Sequence, residues 1–140
     1  METEEALIVF LDSNILFSIC WSGTENTLLG LLLELQAEGR VRLLISPLAL
    51  EEANDNLRRK RPAALPALKK LAASCLTVPD ADLALDLKLP EKDGLLLSAA
   101  IAARANFFLT GNTGDFKALY GRSIKGTRVL TPRAFLGKEY

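Results

Sequence analysis

A chain of 140 residues with 49% apolar and 24% charged side chains has material for one hydrophobic core and little more, so a single domain over residues 1–140 is expected. Seventeen bases balance 17 acids and histidine is absent, which removes the common general base, the Ser-His and Cys-His nucleophile pairs and most zinc sites together. No apolar run reaches the roughly 18 to 20 residues that cross a bilayer, and Met1-Glu2-Thr3-Glu4-Glu5 is acidic where a leader would be basic, so a cytoplasmic protein with no membrane association is expected.

Leu7-Ile8-Val9-Phe10-Leu11 is a short apolar run, β-branched in its middle, that ends at Asp12-Ser13-Asn14. A buried strand followed by a polar turn and a helix N-terminus fits that order. Across residues 25–39, Leu28, Leu29, Leu31, Leu32 and Leu35 recur at helical spacing and Gly39 supplies a stop. Residues 41–45 read as a second buried strand. Ser46-Pro47 then places a cap and a first-turn proline ahead of a helix that runs to about Arg59 and closes on Arg58-Arg59-Lys60-Arg61-Pro62. Residues 63–73 predict a short helix and residues 75–78 a short strand.

Residues 79–92 form an acidic, less regular connector, with a helical turn expected near residues 83–87 and a break at Pro90. Asp93 opens an Ala-rich helix to about Arg104. Phe107-Phe108-Leu109-Thr110 is a strand that ends in Gly111-Asn112-Thr113-Gly114-Asp115, and residues 127–130 are the last strand before a helix capped by Thr131-Pro132. Strands alternating with helices imply an α/β fold, a parallel sheet covered on both faces. Ligands in such folds bind outside the carboxyl ends of the strands, where strand order reverses.

The balanced total charge hides a segregation. Residues 1–39 hold seven acids and no base, 40–70 eight bases and three acids, 71–93 two bases and five acids, and 94–140 seven bases and two acids. Acidic ligands inside a site, with basic residues on its shoulders, produce such an alternation. Cys20 and Cys75 lie far apart without CxxC spacing and read as buried reduced thiols.

With no histidine, hydrolysis must rest on carboxylates and hard metal ions. Asp12 emerges at the lip of the sheet, with Asn14 placed to hold its carboxylate and Ser13 to cap. Asp12 and Asp93 each also read as plain helix caps, and Asp115 as an ordinary loop acid. Of Glu51 and Glu52, adjacent on one helix, one faces inward and the other outward, and the flanking Leu48, Ala49 and Leu57 leave the choice open. Arg58, Arg59, Lys60 and Arg61, or Lys117, Arg122, Lys125 and Arg128, are candidates to hold a phosphate backbone, the alternative being solvated helix ends and loops. Phe17 and Trp21 follow the first polar turn as core or dimer contacts, with base stacking the sharper alternative.

Four segments in order carry a family resemblance. Leu11-Asp12-Ser13-Asn14-Ile15-Leu16 resembles the opening motif of PIN domains, and Ser46-Pro47-Leu48-Ala49-Leu50-Glu51-Glu52 resembles the second, whose acid stands six residues after the serine and so selects Glu52. Asp93-Gly94-Leu95-Leu96-Leu97-Ser98-Ala99-Ala100 is similar to the third, and Phe108-Leu109-Thr110-Gly111-Asn112-Thr113-Gly114-Asp115-Phe116 to the fourth. Each is short; their order and spacing carry the likeness.

The resemblance implies a three-layer α/β/α PIN-like fold around a central, mostly parallel sheet, and endoribonuclease activity with Mg²⁺ or Mn²⁺. Its nearest likeness is to VapC-like toxins of toxin–antitoxin pairs, which implies RNA as substrate, a cognate antitoxin and a homodimer. Asp12, Glu52, Asp93 and Asp115 become the metal ligands and catalytic acids, with Asn14, Asn112, Ser13 and Thr110 in support. The family commonly has aspartate where Asn112 stands; a branch with T-G-N at this place resembles the present chain, and there Asp115 serves instead. The alternative is a catalytically weakened PIN-like module that binds RNA or protein. A dinucleotide-binding fold lacks its GxGxxG after the first strand, and the acidic pair and phosphoacceptor spacing of receiver domains are absent.

Overall fold

A computed structural model describes residues 5–22 and 27–138. In chain order these form β1 (Leu7–Leu11), α1 (Ser13–Ser22), α2 (Thr27–Ala37), β2 (Val41–Ile45), α3 (Pro47–Lys60), α4 (Leu65–Ala73), β3 (Leu76–Thr77), α5 (Glu91–Ala102), β4 (Phe107–Leu109), β5 (Ser123–Ile124), β6 (Thr127–Leu130) and α6 (Pro132–Lys138). The strands make one sheet in the order β3-β2-β1-β4-β6-β5, parallel except for β5 at the edge. This is the expected three-layer α/β/α arrangement, in which α1, α3 and α4 pack on one another and α5 and α6 lie against β4 and β6.

The apolar runs become central strands because both faces of the sheet are covered. Val9, Phe10 and Leu11 of β1, Leu43 and Ile45 of β2, and Phe108 and Leu109 of β4 are fully or almost fully buried. Phe10 pairs in register with Leu44 on one side and Phe108 on the other. Its ring stacks on Phe108 with centroids 5.6 Å apart, and Phe108 meets Phe116 at 5.2 Å. Aromatic contacts of this kind add to the burial that drives the layers together.

The connections after β1 lead outward to β2 and β3, whereas the chain then returns to place β4 on the other side of β1 and continues to β6. Strand order therefore reverses between β1 and β4, the place where a doubly wound sheet opens a crevice at its carboxyl edge. Asp12 and Thr110 leave the sheet there. The Asp12 N–H still bonds the Leu109 carbonyl at 3.0 Å, and the Thr110 N–H bonds that of Leu130 at 3.1 Å.

Several boundaries differ from the sequence expectation, each for a local reason. Helix α5 begins at Glu91, because Pro90 at φ −52°, ψ 148° provides the entry and its carbonyl accepts from the Gly94 N–H at 3.0 Å. Asp93 thus stands inside the first turn and does not cap the helix. No helix forms over residues 83–87: Leu85, Leu87 and Leu89 pack against the core from an irregular segment, an alternation of period two. The expected helix over residues 63–73 splits into a 3-10 turn, Pro62–Ala64, and α4. A hairpin also joins β5 to β6 through Lys125-Gly126, with φ of 50° and 94°, the positive pair that a type I′ turn requires. The two residues of β5, one exposed and one partly buried, leave no periodic signal. The expected helix start at residues 25–26 lies outside the described residues.

Ser46 is buried and its Oγ accepts from the Ala49 N–H at 3.3 Å, so it caps α3 as expected. Ser46→Ala is expected to lower stability by about 1 kcal/mol, with Glu52's helix fraying first. Urea unfolding checks this through a lower midpoint at unchanged slope.

Candidate functional site

Asp12 is only 1% exposed, at the end of the innermost strand. Its Oδ1 accepts from the Ser13 N–H at 2.8 Å, while its Oδ2 accepts from the Thr110 hydroxyl at 2.7 Å and the Asn14 amide at 3.0 Å. The helix-starting bonds from Ile15 and Leu16 go to the Asp12 carbonyl, which puts Asp12 at the N-cap position of α1, its side chain taking the free Ser13 N–H. Asn14 Oδ1 in turn accepts from the Gly111 N–H at 2.8 Å, which ties the first polar turn to the loop after β4. Burial pushes the Asp12 carboxyl up to about 6 against the lowering effect of the Thr110 and Ser13 bonds, and the Glu52 charge raises it further.

The α3 turn settles the choice between its two acids: Glu51 is exposed and Glu52 is partly buried toward the crevice. Glu52 Oε1 accepts a short hydrogen bond from the Ser13 hydroxyl, and Oε2 pairs with the Lys92 ammonium at 2.9 Å. Asp93, in the first turn of α5, is half-buried and its carboxyl is raised to about 7. Desolvation is the largest cause, followed by the charge of Asp12, the charge of Asp115, a hydrogen bond to Asp115 and the charge of Glu52. Four acids from remote segments thus act on one another at one sheet edge.

Asn112 is directed at Asp115. Its amide donates to Asp115 Oδ2 at 2.9 Å, and its Oδ1 accepts from the Asp115 N–H at 3.1 Å, while its own N–H bonds Thr110 Oγ1 at 3.0 Å. The neutral side chain shapes the loop that carries the fourth acid.

Ser13, Asn14, Phe17, Glu52, Asn56, Lys60, Asp93, Gly111 and Asn112 line a cleft of about 330 Å³, and neither the buried Asp12 nor the exposed Asp115 is among its lining residues. Of the basic run, Lys60 reaches this cleft. Arg58 pairs with Asp55 at 2.6 Å, Arg59 donates to Asn56 at 2.5 Å, and Arg61 donates to the Trp21 carbonyl at 2.5 Å. Lys117 is exposed in the 3-10 turn Lys117–Leu119 and is not among the lining residues. Lys92 is the residue that sequence reasoning missed; starting α5 at Asp93 left it in the connector, outside the helix turn that aims it at Glu52.

Among the described residues no three acids or thiols stand in ready metal-ligand geometry. The donor set nonetheless suits a hard divalent cation: it is all oxygen, and Asp12 and Asp93 bear repulsion that a cation relieves. Mg²⁺ that retains several waters needs only partial coordination by the protein.

The Asp93 shift has a definite sign. Its folded pKa of about 7 exceeds the ordinary value of 3.8, so the folded state holds this proton more tightly. The resulting penalty is absent below about pH 4, grows as pH rises toward about 7, and stays constant above that. In chelated protein, Asp93→Asn is expected to raise stability at pH 8 by roughly 1 kcal/mol after allowance for solvent screening, with no difference near pH 4. Denaturant titrations at the two pH values measure it.

The PIN domain family model matches residues 8–114, from β1 through the loop after β4, across Asp12, Glu52, Asp93 and Asn112 and ending one residue before Asp115. Similar solved structures include VapBC2 from Rickettsia felis bound to a DNA fragment from their promoter, at 19% identity, with 89% of this chain and 98% of that chain covered and a TM-score of 0.65. VapBC-1 from nontypeable Haemophilus influenzae aligns at 14% identity over 91% of this chain and 99% of that chain, with a TM-score of 0.61. No curated protein sequence matches significantly. The family match covers well over half of the residues and runs through three of the four acids, and the chain belongs to the PIN domain family.

Proposed function

We propose that this chain is a Mg²⁺- or Mn²⁺-dependent endoribonuclease, the VapC-like toxin component of a toxin–antitoxin pair, acting in the cytoplasm as one PIN-like domain per chain. The observation that carries the reading is the gathering of Asp12, Glu52, Asp93 and Asp115 at the switch point of the sheet, with Asp12 and Asp93 raised to about 6 and 7. The VapBC likenesses support the toxin assignment and a cognate antitoxin. A homodimer completes the proposal, supported by exposed apolar side chains such as Leu31 on α2.

A divalent cation bound there would neutralise charge on the scissile phosphodiester and activate a water for attack. Asp12 is the principal ligand, because Ser13, Asn14 and Thr110 fix its carboxylate before any cation arrives. Asp93 is the second. Glu52, held by Ser13 and Lys92, acts partly through water, and Asp115 serves as a ligand or orients the water. Lys60, with Arg58, Arg59, Arg61 and Lys117 on the shoulders, balances the RNA phosphates that must approach this acidic edge.

The test is cleavage of a mixed single-stranded RNA pool with Mg²⁺ or Mn²⁺, against the same reaction in chelator. Asp12→Asn is expected to lose at least about 100-fold in rate while circular dichroism shows the fold retained, and Thr110→Val about 10- to 100-fold, the range typical of residues that orient a ligand. Full activity of Asp12→Asn would remove the assignment. The pairing of Glu52 with Lys92 and the neutral Asn112 favour a second reading, a weakened module that binds RNA or protein. RNA binding with no cleavage in either metal would select it.

A further inference from the structure

Beside the acidic cleft, and sharing its Phe17 and Lys60 walls, lies a second groove lined by Phe17, Ser18, Trp21, Ser22 and Lys60. On α1, Ile15, Leu16, Ile19 and Cys20 turn into the core, whereas Phe17 and Trp21, one helical turn apart, lie along the groove. Their rings are 5.5 Å apart and tilted by 31°. Trp21 remains 42% exposed, and Phe17 only partly buried. The end of α3 brings two cations to this pair: the Lys60 ammonium lies 5.7 Å from the Phe17 centroid and the Arg61 guanidinium carbon 5.3 Å from that of Trp21. Arg58 and Arg59 are engaged with Asp55 and Asn56 on their own helix, whereas Arg61 reaches across to α1 and donates to the Trp21 carbonyl.

We propose that Phe17, Trp21, Lys60 and Arg61 form a subsite that stacks an unpaired base of single-stranded RNA on the Trp21 indole and holds the adjoining phosphate, directly beside the acidic cleft. The choice of RNA as ligand rests on the ribonuclease reading. The subsite itself rests on the pairing of aromatic rings with cations, the combination that nucleic-acid grooves use for any base sequence. An apolar protein partner would bury the aromatic rings but leave the two cations without counter-charge, whereas a nucleotide satisfies both. Continuity through Phe17 and Lys60 lets one strand occupy the groove while its neighbouring phosphodiester faces Glu52 and Asp93. Every base has a π-face, so the subsite demands an unpaired nucleotide and reads little sequence.

Trp21 is the sole tryptophan, so its emission reports the subsite directly. The full chain, held in chelator so that nothing is cleaved, is titrated with a short oligoadenylate, an abasic ribose-phosphate oligomer of equal length, and polyglutamate. Oligoadenylate is expected to quench Trp21; the abasic oligomer is expected to bind more weakly without quenching. Trp21→Ala should weaken oligoadenylate binding by about 5- to 150-fold, followed by anisotropy of a labelled oligomer, and Trp21→Phe should restore most of it. Unquenched emission, or equal affinity of Trp21→Ala and wild type, overturns the subsite. An equal response to polyglutamate assigns the face to an acidic protein segment, and emission that changes with protein concentration alone assigns it to a second copy; either overturns the proposal. Cleavage is scored separately: quenching without cleavage keeps the subsite and removes the ribonuclease reading, and cleavage without quenching does the reverse.

Discussion

The organisation of the site depends on the burial of one carboxylate. Asp12 stands where the innermost strand ends, and three donors from two chain segments converge on it: the Ser13 N–H, the Asn14 amide and the Thr110 hydroxyl. An ionised carboxylate in such a place is costly unless hydrogen-bonded, and these bonds offset part of that cost while burial still leaves the carboxyl raised to about 6. The Thr110 bond also ties the end of β1 to the end of β4 across the switch point. Asn14 does so twice, donating to Thr110 Oγ1 at 3.2 Å and accepting from the Gly111 N–H. Stability and site geometry are therefore coupled, because loosening Asp12 also loosens the loop that carries Asn112 and Asp115.

Around this centre, the acids differ in how their charge is handled. Glu52 has a counter-ion in Lys92 and a donor in Ser13. Asp115 has the Asn112 amide. Asp93 faces three other carboxylates from a half-buried position, and its raised carboxyl registers that imbalance. An all-oxygen set in which one acid is held by three donors and another bears repulsion is of the kind that suits a hard cation keeping part of its hydration shell. The basic residues sit outside this ring. Lys60 lies at the junction of the acidic cleft and the aromatic groove.

Asn112 illustrates how a departure from family pattern acquires meaning only in context. Read alone, it removes a negative charge from the expected ligand set. In the folded chain it accepts from the Asp115 N–H and donates to the Asp115 carboxylate, so it organises the turn that presents the next acid along the chain. The loop's negative charge stands three residues on, at Asp115, where it acts on Asp93.

The sequence by itself determined the layered α/β architecture, the main strands and the polar positions at their ends, because continuous apolar runs, cap chemistry and helical spacing are local signals written in neighbouring residues. It also marked Asp12, Glu52, Asp93 and Asp115 through the ordered motifs. Tertiary structure decided what local signals cannot encode. The motif likeness singled out Glu52 over Glu51, and the physical reason came from the fold, in which the Glu52 side of α3 is the partly buried one. Lys92 acquires its partner 40 residues back in the chain, and Trp21 remains exposed beside Arg61 because α1 and α3 pack side by side. Residues 83–87 read as a helix turn, whereas packing of Leu85 and Leu87 against the core holds them in an irregular segment. Such outcomes depend on distances between segments remote in sequence, and only the assembled sheet sets those distances.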